Sequence, residues 1–520
     1  MLFSSCQKHN INLLQIDHSI KVTMSVLTTS YQLDPKTLSF LEEEQKLFIG
    51  GEWVSPQHGK TFPTLNPANG QVIADIPLAE EADVDQAVAA ARAAFGTKWS
   101  LHKNPADRSS LIWKLADIMA RDKQVLIELE TLDNGKPLNK AAYDIQGAIN
   151  HFRYYAGWAT KIEGSSIPVG TNKLAYTRRE ALGVVGLIVP WNFPLMITAW
   201  KLAPALACGN CCILKPAEQT PLTALYLGKL IQEAGFPAGV VNILTGPGLP
   251  TGEAITRHMD IDKVSFTGST MVGKKIMEAS AQSNLKKVSL ELGGKSPNVI
   301  MADANLETVK KAVHWTSFYN SGQECTLGSR LYVQKPAYDE VLESLQKKAE
   351  GLSVGNGLNN PDLGPIVSDK QLQRIMGYVE KGKAEGADLV LGGERMEGEF
   401  QDGYFLPPTI FAHQNDKLSI VQEEIFGPVV AVSSFDSLEE VAERANDTPY
   451  GLAAAIWTSD IKQAHRFANT VQAGTVWVNG YDMFDPAVPF GGYKQSGIGK
   501  EMGKTAIDLY TQDKSIWISF

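Results

Sequence analysis

Cysteine is scarce in this chain, with five among 520 residues: Cys6, Cys208, Cys211, Cys212 and Cys325. An odd, sparse set gives no disulfide framework and fits a reducing compartment. No cluster of cysteines and histidines has zinc spacing, which disfavours zinc-dependent catalysis. No long basic run occurs and the net charge is −9, so nucleic acid and anionic membranes are poor partners. Residues 1–30 lack an apolar h-region, and no arginine precedes Arg92, arguing against a secretory signal and a mitochondrial presequence. That segment reads as a flexible N-terminal extension, with Met24 an alternative start. Residues 181–200 are uncharged and long enough to cross a bilayer. Pro190, Asn192 and Pro194 interrupt them and Lys201 follows, so a buried strand, a tight loop and a buried helix are expected instead. The expected location is cytoplasmic. Internal repeats, low-complexity tracts and a strict G-x-G-x-x-G fingerprint are also missing.

What is present is alternation. Residues 46–54 and 61–66 read as a short hairpin or meander, 83–95 as an alanine-rich helix, and 105–132 as one helix capped by Asn104. Strands at 184–189, 211–214, 241–244 and 263–266 are each followed by a helix, at 196–207, 222–234, 251–258 and 271–281. A strand at 288–292 ends at Gly293-Gly294. A second run follows, with helices at 306–320, 337–348, 369–385, 438–445 and 462–467 and strands at 329–333, 429–435, 453–457 and 474–478. Short apolar strands alternating with helices predict an α/β chain with two parallel-sheet domains. Residues 167–180 read as a protruding β hairpin, and 515–520 as a strand that pairs with another subunit.

Four segments carry candidate chemistry. Cys325 follows Gly322-Gln323-Glu324 at a break between helix and strand, where a thiolate nucleophile can face a cleft. Taken alone, a cysteine there is more often buried packing. Residues 266–273, Phe-Thr-Gly-Ser-Thr-Met-Val-Gly, follow a strand and open a helix whose amides suit a phosphate; a ligand-free glycine turn reads equally well. Lys215-Pro216-Ala217-Glu218 follows another strand, where Lys215 and Glu218 can bond a ribose and the carboxylate repels a 2′-phosphate, favouring NAD over NADP. A solvated helix start is the bland alternative. Asn192, between two prolines, can donate to an oxyanion or serve as a turn residue. Glu291 lies in an apolar strand, where burial raises a carboxyl toward the range of a general base; a paired structural carboxylate is equally consistent. Cys208-x-x-Cys211 reads as buried packing.

Together, Pro190-Trp191-Asn192-Phe193-Pro194, Leu290-Glu291-Leu292-Gly293-Gly294-Lys295 and Gly322-Gln323-Glu324-Cys325 resemble the catalytic set of the NAD(P)-dependent aldehyde dehydrogenase superfamily. Glu423-Glu424-Ile425-Phe426-Gly427-Pro428 and Pro489-Phe490-Gly491-Gly492 match two further motifs of that family, in family order, over residues 45–515. Details such as Asp485 look most similar to bacterial phenylacetaldehyde dehydrogenases. The resemblance implies an aldehyde-dehydrogenase-like fold with an NAD-binding domain (31–163 and 183–293) and a catalytic domain (294–495). It also implies an oligomerisation element (164–182 and 496–520) building a homodimer or homotetramer.

It implies Cys325 as nucleophile, Asn192 with the Cys325 N–H as oxyanion donors, and Glu291 as base for hydrolysis of a thioester. Cofactor contacts fall to Trp191, Lys215, Glu218, Gly268, Ser269, Gly273, Leu292, Glu424 and Phe426. A substrate tunnel falls to Phe193, Met196, Trp200, Trp315, Tyr319, Phe484 and Phe490, which points to an aromatic aldehyde such as phenylacetaldehyde. Each of those rings, taken singly, also reads as core. Glu324 departs from common relatives, and a carboxylate there is expected to raise the thiol pKa. A CoA-acylating dehydrogenase and a non-enzymatic structural protein are the competing readings; the first needs CoA and leaves Glu291 without a task.

Overall fold

The computed structural model describes residues 31–97, 99–100 and 104–520. The N-terminal extension, Met24 and Cys6 lie outside the described residues.

Continuous apolar runs such as Val184–Ile188 and Cys211–Lys215 are buried along their whole length, as strands covered on both faces must be. They sit in the middle of an eight-stranded sheet. Its order is Gly497–Ile498, Lys287–Glu291, Lys263–Thr267, Val184–Ile188, Cys211–Lys215, Val241–Ile243, Leu47–Ile49, Glu52–Val54. The five inner strands, Lys287–Glu291 through Val241–Ile243, run parallel. The added edges are antiparallel.

A seven-stranded sheet follows in the order Asp388–Leu391, Thr409–Ala412, Val429–Phe435, Arg330–Gln334, Pro297–Ile300, Ala453–Trp457, Thr475–Val478. It is parallel except for Asp388–Leu391. The two parallel sheets are therefore mixed at their edges.

Two expectations change. The stretch 105–132 is two helices, Pro105–Arg121 and Lys123–Asn134. Asp122 breaks them, because its carboxylate is spent on Lys36, Arg121 and the Tyr226 hydroxyl. The segment at 61–66 pairs with Val72–Pro77, while Leu47–Ile49 pairs with Glu52–Val54. In addition, the final strand, Thr511–Ser519, pairs along one edge with Lys173–Ala181, which also pairs with Ser166–Ile167, and its other edge carries no strand of this sheet. The helix Leu138–Ala156 and the strand Pro297–Ile300 carried no clear signal in the sequence.

In a parallel sheet, the strand ends all point to one edge, where ligands bind. Glu291, Lys215 and Thr267 are the last residues of their strands, and Trp191 and Asn192 follow the strand ending at Ile188. Gly293-Gly294 then carries the chain directly into the second sheet, so these groups face the half that supplies Cys325.

Candidate active site

Cys325 stands on an irregular connection between the helical turn Tyr319–Gly322 and the strand Arg330–Gln334. Three successive residues there have positive φ: Asn320 (49°), Ser321 (54°) and Gly322 (71°). Non-glycine residues pay for that conformation, and the surroundings hold it. Asn320 Nδ2 donates to the carbonyls of Asn192 and Gln323 (both 3.2 Å), and Ser321 Oγ donates to the Gly364 carbonyl at 2.7 Å. Gln323 Nε2 donates to the Asn320 carbonyl at 3.2 Å, and its Oε1 accepts from the Val367 N–H at 2.9 Å. The Cys325 loop is thereby tied to the Asn192 loop.

Asn192 Nδ2 donates to the Gln323 carbonyl at 3.1 Å, which leaves the amide's second hydrogen for another acceptor. Its own carbonyl accepts from Lys136 Nζ at 2.9 Å. Lys136 is fully buried between Glu130 (3.1 Å) and Asp144.

Glu291 is 5% exposed, and its Oε2 has no hydrogen-bond partner. Burial raises its carboxyl well above the usual range; Glu501 pushes the same way, and Lys201 and Lys500 oppose. Glu501 is held by Lys201 and by Ser265 Oγ at 3.1 Å. Gly491 sits at φ 151°, and a Cβ there would lie 2.6 Å from Glu291 Oε1, so only glycine leaves room for this carboxylate. Withdrawal from water likewise raises the Cys325 thiol well above its usual value, with Glu324, Glu424, Asp482 and Glu291 adding in that order. The expected effect of Glu324 is therefore present but second to burial.

Two cavities meet at Cys325. The first is lined by Phe193, Met196, Trp200, Tyr319, Phe484 and Phe490 together with Glu291 and Cys325. Trp315 does not line it; it packs on the Tyr319 ring, with centroids 4.0 Å apart. The second is lined by Trp191, Asn192, Gly268, Ser269, Leu292, Glu424, Phe426 and again Cys325.

Residues of the second cavity suit a dinucleotide. Ser269 caps the helix Thr270–Gln282, its hydroxyl accepting from the Val272 N–H at 3.3 Å. Gly273 packs against Leu292. The Glu424 carboxyl accepts from the Gly294 N–H at 3.0 Å and is lifted by burial to about 7. Phe426 holds a left-handed φ of 62°, with its carbonyl accepting from Gln371 Nε2 at 2.9 Å, and its ring meets Trp191 edge-on at 5.1 Å. Lys215 and Glu218 lie away from this lining; Lys215 is buried and lowered to about 8 by desolvation, with Glu218 opposing. No metal-holding group of histidine, cysteine, aspartate and glutamate occurs among the described residues.

Sequence reasoning missed Lys136, Asn320, Gln371, Asp482 and Glu501. Only Lys136 had a local signal, following the helix-ending Gly135 at φ 87°. The others converge from distant segments, which no local pattern records.

Residues 53–516 match the Aldehyde dehydrogenase family. Human retinal dehydrogenase 2 is 46% identical over 510 residues, covering 97% of this chain and 98% of its own. The NAD+ complex of a Bacillus cereus aldehyde dehydrogenase superposes with a TM-score of 0.92 at 51% identity, covering 94% of this chain and 99% of that one. An indole-3-acetaldehyde dehydrogenase of P. syringae, solved with NAD+ and IAA, gives a TM-score of 0.90 at 39% identity, covering 96% and 100%.

Proposed function

The chain belongs to the aldehyde dehydrogenase family, oxidoreductases acting on aldehydes with NAD as acceptor, and from that premise we propose that it oxidises aromatic aldehydes of the phenylacetaldehyde type to carboxylic acids. The observation that carries this reading is the meeting of the two cavities at one sulfur, aromatic on one side and phosphate- and ribose-suited on the other.

Cys325 Sγ gives its proton to water and forms an S–C bond with the aldehyde carbon as the C=O π pair moves onto oxygen. The resulting oxyanion is held by the Asn192 amide and the Cys325 N–H; one such donor is typically worth about 10²–10³ in rate. NAD bound in the second cavity would supply the hydride acceptor, which would leave the carbon as a thioester on Cys325. Glu291 takes a proton from water, the new C–O bond forms, the C–S bond breaks, and the acid leaves. Lys215 and Glu218 would hold the adenine ribose, Gly268, Ser269 and Gly273 the pyrophosphate, and Glu424 the nicotinamide ribose. Trp191, Leu292 and Phe426 would border the nicotinamide.

The Glu291 oxygen without a partner, in the wall of the substrate cavity, favours hydrolysis over transfer to CoA. Relatives named for retinal and indole-3-acetaldehyde support a large unsaturated substrate. NADH absorbance followed over a panel of aldehydes tests the reading. Phenylacetaldehyde is expected among the highest kcat/KM values, with no dependence on CoA; turnover requiring CoA would overturn it.

We further propose a homo-oligomer. The three-stranded sheet exposes Ile167 and Trp517 on one face and Leu174 and Ile518 on the other, apolar side chains suited to a second copy. A cytoplasmic location is supported by the cysteines, all unpaired among the described residues. No helix among those residues is long and apolar enough to cross a membrane.

A further inference from the structure

Two fully buried cations are without a carboxylate partner among the described residues. Lys295 closes the run Gly293-Gly294-Lys295 that leads into the second sheet, and Arg330 opens the strand Arg330–Gln334. They are 2% and 1% exposed. Lys295 Nζ has no hydrogen-bond partner at all. Arg330 donates from Nε to the Lys295 carbonyl at 2.8 Å, from Nη1 to the Arg444 carbonyl at 3.2 Å, and from Nη2 to the Ala445 carbonyl at 2.8 Å. Its Cζ stands 5.8 Å from the Tyr332 ring centroid. Carbonyls and a neutral ring orient a guanidinium without cancelling its charge.

Both side chains line one cleft of about 200 Å³, at the amino ends of the strands Pro297–Ile300, Arg330–Gln334 and Ala453–Trp457. The cleft shares Leu452 with the aromatic cavity and no residue with the dinucleotide-suited one. Tyr450 and Gln472 are its other polar side chains, and burial lifts the Tyr450 phenol to about 12, so neither brings a negative charge. Burial lowers the Lys295 ammonium to about 7; Arg330 pushes the same way, and Glu424 and Glu423 oppose without bonding it. A buried ammonium is costly unless paired, and a guanidinium keeps its charge at any working pH. An anion in the cleft would meet the ammonium's donors and the N–H groups that Arg330 has not spent on carbonyls.

We infer that Lys295 and Arg330 form a binding site for a compact inorganic oxyanion of the phosphate or sulfate kind. The volume admits such an ion and excludes a nucleotide, and the cleft wall supplies cations and no competing carboxylate. The site lies apart from the groups of the proposed reaction, so its failure leaves the aldehyde reading untouched.

The test is thermal melting of the NAD-saturated protein in millimolar phosphate or sulfate, with sodium gluconate matching the ionic strength. Saturating NAD keeps these ions out of the turn at Ser269. Either oxyanion is expected to raise the midpoint by about 2 °C or more over gluconate. Lys295→Met is expected to lose that rise, and in gluconate to melt no lower than the wild type, because it removes an uncompensated buried charge. Equal shifts in wild type and variant, or none in either, overturn the site. Chloride raising the midpoint more than both oxyanions overturns the assignment of the ion. Should the variant melt lower in gluconate or fail to fold, selenate soaked into crystals of the wild-type NAD complex decides by anomalous scattering. A selenium peak between Lys295 Nζ and the Arg330 guanidinium supports the site, and an empty cleft overturns it.

Discussion

In the proposed mechanism Cys325 and Glu291 divide the work, and each substitution separates one half of it. Cys325→Ser is expected to abolish NADH formation while leaving the NAD dissociation constant within about threefold, read by fluorescence titration. Glu291→Gln should still give one equivalent of NADH in a rapid burst and then turn over slowly, because only thioester hydrolysis has lost its base. The raised carboxyl of Glu291 also has a stability consequence. A group whose pKa is higher folded than unfolded binds its proton more tightly when folded. Its ionisation therefore costs stability as pH rises through and above the ordinary carboxyl range. Thermal melting should find Glu291→Gln close to the wild type near about pH 4 and more stable than it near about pH 8. A wild-type protein that stays the more stable at the higher pH would contradict the assignment. Glu291, Asn192 and Cys325 were legible in the sequence because each sits in a run of distinctive neighbours. Asp482 was not, because the Thr326 hydroxyl it meets comes from a remote segment.

Strand ends position the chemistry, and glycines give it space. Gly491, at φ 151°, lies against Glu291 Oε1. Gly491→Ala would force the carboxylate aside, and we expect steady-state kcat to fall at least tenfold while the NADH burst persists; loss of burst and turnover together would show a wider collapse. The alternation of apolar strand and helix was legible because fully buried parallel strands are short continuous apolar runs, as at Val184–Ile188 and Val429–Phe435. The helix Leu138–Ala156 escaped notice because polar residues line much of its length. Among its buried residues are the charged or polar Asp144 and His151, which blur the apolar stripe. Pro297–Ile300 is too brief, and its opening proline argues against a strand until its place at the start of the run is seen. The break at Asp122 depends on Lys36 and Tyr226, both far away in the chain.

At the scale of the whole molecule, two sheets meet so that one sulfur borders both an aromatic cavity and a dinucleotide-suited cleft. The small three-stranded sheet stands apart from this work, and Trp517 on it is 63% exposed. Trp517→Glu should shift the sedimentation coefficient toward a smaller species; an unchanged assembly would move the interface elsewhere. The catalytic claim itself is met most directly by rapid-quench mass spectrometry of the Glu291→Gln protein mixed with NAD and phenylacetaldehyde. The account predicts that the peptide containing Cys325 gains the mass of the phenylacetyl group in step with the NADH burst. NADH formed with that peptide unmodified throughout would contradict it.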